Sequence, residues 1–198
     1  MDILVGCEFS GRVRDAFNAL GHNAVSCDLV QTEAPGPHMM NDVRNVLDWG
    51  WDLAIFFPEC RYLCSSGIHW NRHIEGRSTK TQEALDFVRT LLDASIPKIA
   101  LENPRGMIGT RIRKSDQEIH PYMFGDDAKK ATCLWLKNLP KLILNEHWVS
   151  PRIVNGMERW GNQTDSGQNR LGETKGRASE RSKTYPGIAR AMAEQWGK

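Results

Sequence analysis

Short apolar runs that alternate with stretches of helical periodicity constrain this chain more than any other feature. "ILVG" (3–6), "NAVSCDL" (23–29), "DLAIFF" (52–57), "PKIALENP" (97–104) and "ATCLWL" (131–136) each have the length and character of a buried strand. Between the first two, Val13, Ala16, Phe17 and Leu20 recur at helical spacing, with Ser10 as the expected N-cap and Gly21 as a stop. "TKTQEALDFVRTLLDAS" (79–95) places Ala84, Val88, Leu91 and Leu92 on one helical face, and "NDVRNVLDW" reads as a short helix or turn. "PGIARAMAEQWG" (186–197) predicts a terminal helix with proline in its first turn. Strand, helix, strand with short links predicts an α/β fold, a mostly parallel sheet with right-handed crossovers and helices on both faces.

At 198 residues the chain suits a single domain able to bury a real core. One composition shift interrupts it. Residues 150–183 are rich in Gly, Asn, Ser and Arg and lack aliphatic periodicity, with seven Lys/Arg against four Asp/Glu. This segment is expected to be an irregular flexible insertion or a reduced substrate-recognition segment, since long structureless stretches in compact domains are functional or disordered. Residues 184–198 are expected to pack back on the sheet. No apolar run approaches the roughly 20 residues needed to span a bilayer. The start "MDILVGCEF" lacks a basic segment and a cleavage pattern, so a cytoplasmic protein with no membrane contact is expected. Five scattered cysteines, an odd number, argue for reduced thiols over a disulfide framework. A net charge of +2 leaves any nucleic-acid surface to local clusters.

In an open parallel sheet, ligands bind beyond the carboxyl ends of the strands. The unusual residues fall there. The first strand runs into "GCEFSG", whose Gly6 and Gly11 would let the backbone approach a ligand, and the second ends at Asp28, an acid suited to a ribose diol. The 52–57 strand runs into Pro58-Glu59-Cys60, and the 97–102 run ends in Glu102-Asn103-Pro104. The first turn lacks G-x-G-x-x-G, and no G-x-x-x-x-G-K-[ST] exists, so a pyrophosphate or triphosphate cradle is disfavoured. An adenosine ligand without pyrophosphate, such as S-adenosylmethionine, fits this pattern.

The order of these motifs resembles the DNA cytosine-5 methyltransferases, especially the short versions found in phages and prophages. "GCEFSG" stands at the glycine-containing turn, Asp28 at the strand-two acid, and "NDV" supplies Asp42. "PECRYLCSSG" stands at the nucleophile loop, "ENP" at the Glu-Asn dipeptide, "KKATCLWL" at the basic strand and "SKTYPGIARAMAEQ" at the final motif. The resemblance implies a Rossmann-like S-adenosylmethionine-dependent methyltransferase fold. It implies catalysis by Cys60 and Glu102, and cofactor contacts from Gly6, Cys7, Glu8, Phe9, Ser10, Gly11, Asp28, Asp42 and Pro58. Substrate contacts fall to Arg61, Ser66, His69, Arg72 and Lys130, with no metal. The sequence departs from the family pattern in three places. Glu59 separates Pro58 from Cys60, Arg61 replaces the usual glutamine, and residues 143–181 are too few for the usual target-recognition domain.

The chemistry implied is addition of a cysteine thiolate to cytosine carbon 6, with a carboxyl group assisting at N3. Such an enzyme meets a cytosine that is flipped out or already single-stranded, or one in a cytosine nucleotide. The loop "SSGIHWNRHIEGRSTK" carries His69, Arg72, His73, Arg77 and Lys80, suited to phosphates or simply a solvated basic loop. A protein partner or a second copy would supply target recognition, in a bacterial host cytosol if the chain is phage-encoded. Cys60, Cys64, His69 and His73 also have the ligand types zinc prefers, with a cramped spacing. Cys64 otherwise reads as loop packing, and Cys7, Cys27 and Cys133 as core. Two further functions stay open: a degenerate methyltransferase fold that binds nucleotide or inhibits a partner, and an enzyme modifying a free nucleotide.

Overall fold

The computed structural model describes residues 1–144, 146–171 and 176–198. Its seven-stranded sheet comprises β1 (Asp2–Gly6), β2 (Asn23–Asp28), β3 (His38–Met40), β4 (Leu53–Phe56), β5 (Lys98–Asn103), β6 (Gln117–Ile119) and β7 (Thr132–Lys137). The spatial order is β3-β2-β1-β4-β5-β7-β6. The first five strands pair in parallel, while β7 runs antiparallel to both β5 and β6. The order reverses between β1 and β4, the position at which doubly wound sheets open a crevice.

Strand residues alternate between two apolar layers. Ile3, Val5, Leu53, Ile55, Ala100 and Leu134 face α1 (Arg12–Asn18) and, by chain order the last helix, Pro186–Trp196. Leu4, Cys27, Ala54, Phe56, Ile99, Leu101 and Trp135 face α2 (Arg77–Leu92), α3 (Met107–Arg111) and a 3-10 turn at Val43–Val46. The remaining helix, α4 (Arg177–Ser182), precedes the terminal one, α5. Ile188, Met192 and Trp196 are buried along one stripe of α5, each burial worth about 2 kcal/mol before entropic costs. The indole Nε1 of Trp196 donates to Pro140 O at 3.0 Å, which satisfies its polar end. The result is an α/β protein of Rossmann-like arrangement, and among the described residues no helix is long and apolar enough to cross a membrane.

The sheet is mostly parallel, as expected, and its reversed strand is β7, which enters between β5 and β6. Helix α1 starts from Gly11 in the left-handed region (φ 77°), and Ser10 stands one residue before it, its Oγ accepting from Arg12 N at 3.4 Å. Within 150–183 the chain forms a hairpin, β8 (Arg152–Val154) with β9 (Met157–Arg159), and then α4; residues 172–175 of that segment lie outside the described residues. Polar contacts seat this segment. Tyr122 stacks on Trp160 with ring centroids 4.6 Å apart, Gly161 N donates to Asp127 Oδ1 at 2.7 Å, and Asn162 exchanges two hydrogen bonds with the Lys129 backbone. Farther along, Lys130 Nζ donates to Arg181 O, Arg12 Nη1 to Thr184 O, and Lys183 pairs with Glu33. The segment is thereby tied first to the β6–β7 side and then to the β1–β2 side of the sheet.

Candidate active site

The carboxyl ends of β1, β2, β4 and β5 lie side by side, because Gly6 registers with both Cys27 and Phe56 and Phe56 with Leu101. The turn after β1 is held by Cys7 N and Glu8 N, which both point at Cys27 O, with Cys7 in the left-handed region (φ 59°). Gly6 has a packing reason: an added Cβ would lie 2.6 Å from the Phe56 ring and 2.7 Å from Val43. Gly11 would place one 2.5 Å from the Arg14 guanidinium. Both glycines are therefore required by the protein's own interior, whatever else approaches them.

Glu8 is buried and accepts from the Ser10 hydroxyl, while its other oxygen, Oε2, has no partner meeting hydrogen-bond geometry. Burial raises its pKa, opposed by Ser10, Arg14 and the amides of the turn. Phe9 contributes its carbonyl, which accepts from Glu33 N at 2.8 Å. Cys7 is shielded, and its thiol is pushed far up by burial, then by the charges of Asp28, Cys27 and Asp42. Asp28 and Asp42 thus share one small region with Cys7. They are occupied differently. Asp28 accepts from Val30 N at 3.2 Å, whereas both oxygens of Asp42 receive Arg44, whose hydrogen bonds lower the Asp42 pKa. Leu29, Val30 and Met40, exposed by 73%, 53% and 70%, give the ends of β2 and β3 an apolar rim beside these acids.

After β4, buried Pro58 offers its carbonyl to Asn103 Nδ2 at 2.8 Å, which locks this exit to the end of β5. Cys60 follows, and its carbonyl accepts from Leu63 N and Cys64 N, so residues 60–64 close into one turn. The turn is clamped against the loop after β5: Met107 N donates to Leu63 O, Ser65 N to Arg105 O, and Cys64 bridges to Gly106. A Cβ on Gly106 would collide with the Leu63 carbonyl, so no other residue allows this approach.

That clamp sets the Cys60 turn beside the end of β5, close enough for the Glu102 carboxyl to act electrostatically on the Cys60 thiol. Although Cys60 is exposed, its pKa is raised, first by partial shielding of the thiol, then by the negative potentials of Cys64 and Glu102; Lys130 opposes them. Glu102, half-buried at the end of β5 and paired with Leu134, also has a raised pKa. Burial is the main cause, with Lys130 and a hydrogen bond from Thr132 pulling it down. One lysine therefore acts on both groups.

The remaining predicted residues surround this cluster unequally. Ser66 Oγ lies 3.3 Å from Cys64 Sγ, and the Arg61 guanidinium rests over the Tyr62 ring at 5.6 Å. His69 and Arg72 sit on a 3-10 turn, Ile68–Arg72, which buries none of its side chains. Among the described residues, no group of three or more His, Cys, Asp or Glu side chains gathers as a metal site. A groove of about 800 Å³ lined by Arg89, Asp93, Arg113 and Lys137 lies at the opposite, amino edge of the sheet, away from all of these groups.

Sequence reasoning missed two structural anchors. Arg14 is fully buried and donates to Ser26, Thr32, Ala34 O and Pro35 O, which fixes the loop before β3. Nothing in a helical pattern marks an arginine as interior. Asn103 was visible in "ENP", but its role, tying β5 to Pro58, depends on strands adjacent only in space.

No family model matches the sequence, and no curated protein matches it either. Among solved structures, this chain is similar to a candidate DNA modification methyltransferase encoded within a prophage of E. coli. The two share 11% identity and a TM-score of 0.46, over 69% of this chain and 46% of the other. This chain thus spans about half the length of that structure.

Proposed function

We propose that this chain is an S-adenosylmethionine-dependent methyltransferase acting on carbon 5 of cytosine, in DNA or in a cytosine nucleotide. The observation that carries the reading is the juxtaposition of the Cys60 thiol, the Glu102 carboxyl and Lys130 at the carboxyl edge of the sheet. The neighbouring β1–β2 region fits the cofactor. Asp28 has one backbone donor on it and so retains acceptor capacity for ribose hydroxyls, and Leu29, Val30 and Met40 offer apolar surface to a purine. When bound, S-adenosylmethionine supplies an electrophilic methyl on a sulfonium.

The chain's own groups prepare cytosine to receive it. The Cys60 thiolate forms a bond to carbon 6, and Glu102, whose raised pKa keeps it protonated closer to neutrality, holds its proton at N3. Electron density moves to carbon 5, which becomes enamine-like and nucleophilic. Once carbon 5 carries the methyl group, loss of its proton to solvent expels Cys60 as a thiolate, and return of the N3 proton to Glu102 restores the neutral ring. Lys130 favours the ionised form of the thiol.

A second reading is a nucleotide-binding protein without catalysis. Glu59 beside Cys60 and the upward shift of its thiol favour it. Transfer of a labelled methyl group separates the readings. Label in DNA or in a cytosine mononucleotide supports the enzyme and names its substrate; label in neither, with S-adenosylhomocysteine bound, supports the second reading.

A further inference from the structure

We infer that Trp70 is a stacking platform for an unpaired nucleobase, so that the partner is single-stranded nucleic acid. This rests on the reading of the Cys60 site as one for cytosine, and it selects a polymer over a free nucleotide. Trp70 lies in the segment between the Cys60 turn and α2, and 48% of its surface is exposed. Its ring contacts two imidazoles without being stacked by either: His69 is tilted at 40° with centroids 4.8 Å apart, and His73 meets it edge-on at 78° and 6.3 Å. No residue of its 3-10 turn is buried, so the indole contributes little to the core.

The backbone beneath it is nonetheless fixed. Asn71 Nδ2 donates to Thr81 Oγ1, Thr81 Oγ1 to Tyr62 O, and Arg77 Nη2 to Arg61 O and Gly67 O. These bonds fasten the Trp70 turn to the start of α2 and to the Cys60–Gly67 loop. An exposed aromatic on an anchored turn presents its face with little ordering cost on binding. Charge around it fits a phosphate chain. Residues 59–80 carry Arg61, Arg72, Arg77 and Lys80 against Glu59 and Glu75; Lys80 pairs with Glu83, whereas among the described residues Arg61 and Arg72 make no ion pair with a carboxylate. Exposed arginines beside an exposed indole are the two components of sequence-tolerant single-strand binding: backbone neutralisation and base stacking. A duplex with every base stacked on its neighbours offers no free face to this ring.

The test uses the full chain and a fluorescent oligothymidylate, which contains no cytosine and so does not depend on methylation. Binding should be measurable by polarisation, should weaken about tenfold or more in Trp70→Ala, and should recover in Trp70→Phe. Arg72→Ala should reduce the salt dependence of binding, whereas Trp70→Ala should leave it unchanged. A blunt duplex of the same length should bind more weakly and be insensitive to Trp70→Ala. Failure of oligothymidylate to bind, or equal affinity in wild type and Trp70→Ala, overturns the inference. Methylation of a cytosine mononucleotide without oligothymidylate binding would sink this inference alone. Trp70-dependent binding without any methyl transfer would sink the enzymatic reading alone.

Discussion

At the amino edge of the sheet, half-buried polar groups find partners. Leu136 N and the Arg113 guanidinium both donate to Asp116 Oδ2, Trp135 Nε1 donates to Arg113 O, and Lys137 Nζ donates to Ala94 O. The carboxyl edge is built otherwise. Glu8 Oε2, Asn71 Oδ1, Arg77 Nε, Asn103 Oδ1 and His120 Nδ1 are buried without a hydrogen-bond partner among the described residues. All five stand at or after the carboxyl end of β1, β4, β5 or β6. Asp116 at the amino edge is lowered on balance by its donors, despite burial, whereas Glu8, Cys60 and Glu102 at the carboxyl edge are raised chiefly by burial; Asp42, gripped by Arg44, is the carboxyl-edge acid that goes the other way. Each unsatisfied buried group costs about 1–3 kcal/mol. Unsatisfied buried polar groups and raised pKa values gather at functional sites more often than elsewhere, which is why the carboxyl edge carries the proposed site.

The comparison predicts that mutations at the two edges trade stability and activity in opposite senses. The largest effect is on catalysis. Glu102→Gln should slow covalent adduct formation by about 10²-fold, within the usual reach of acid–base assistance. The same change should raise the melting temperature at neutral pH, because it removes a carboxylate that burial penalises. The sign follows from linkage. With a folded-state pKa above the unfolded value, Glu102 binds more protons folded than unfolded, so it favours folding at low pH. That contribution is lost as pH rises from the ordinary glutamate range through the raised value. Urea melts across this window should show a flatter profile in Glu102→Gln; an unchanged profile would mean the carboxyl is not shielded.

Asp116→Ala should do the reverse. It orphans Leu136 N and frees Arg113, costing about 2 kcal/mol in urea unfolding while leaving adduct formation intact. A comparable loss of activity would erase the distinction between the edges. Asp28→Ala should weaken S-adenosylhomocysteine about tenfold by calorimetry with little change in stability, since the loss is of an acceptor for ribose hydroxyls. The smallest effect expected is a displacement of the pH–rate profile. Lys130→Met removes the charge that lowers the Cys60 pKa, so the rising, thiolate-dependent limb should move to higher pH. A limb that stays in place would show that Lys130 does not act on the thiol.

How legible each part was follows from the same physics. β1, β4 and β5 are covered on both faces, so their residues form unbroken apolar runs, and β2 and the helical stripes of α2 and α5 were readable too. β3 and β6 are three-residue edge strands, His-Met-Met and Gln-Glu-Ile, whose composition carries no such signal. The apolar run of β7 gives its existence but not its direction, which depends on where the chain returns. The β8–β9 hairpin had a signal that went unread. Asn155-Gly156, at φ 50° and 74°, is the dipeptide a tight primed turn demands. At the site, Cys60, Glu102 and Asp28 were readable because strand ends converge on one edge. The Gly106–Leu63 approach and the Asn103–Pro58 bond were not, since each joins segments distant in sequence.

The central claim is that Cys60, and not Cys64, is the nucleophile of this edge. It is tested most directly by intact-protein mass spectrometry after incubation with S-adenosylmethionine and single-stranded DNA carrying 5-fluorocytosine, whose fluorine blocks the elimination that would release the sulfur. The account predicts a stable protein–DNA adduct in the wild type and in Cys64→Ser, and none in Cys60→Ser, because a hydroxyl is a far weaker nucleophile than a thiolate. An adduct that persists in Cys60→Ser and vanishes in Cys64→Ser would contradict it.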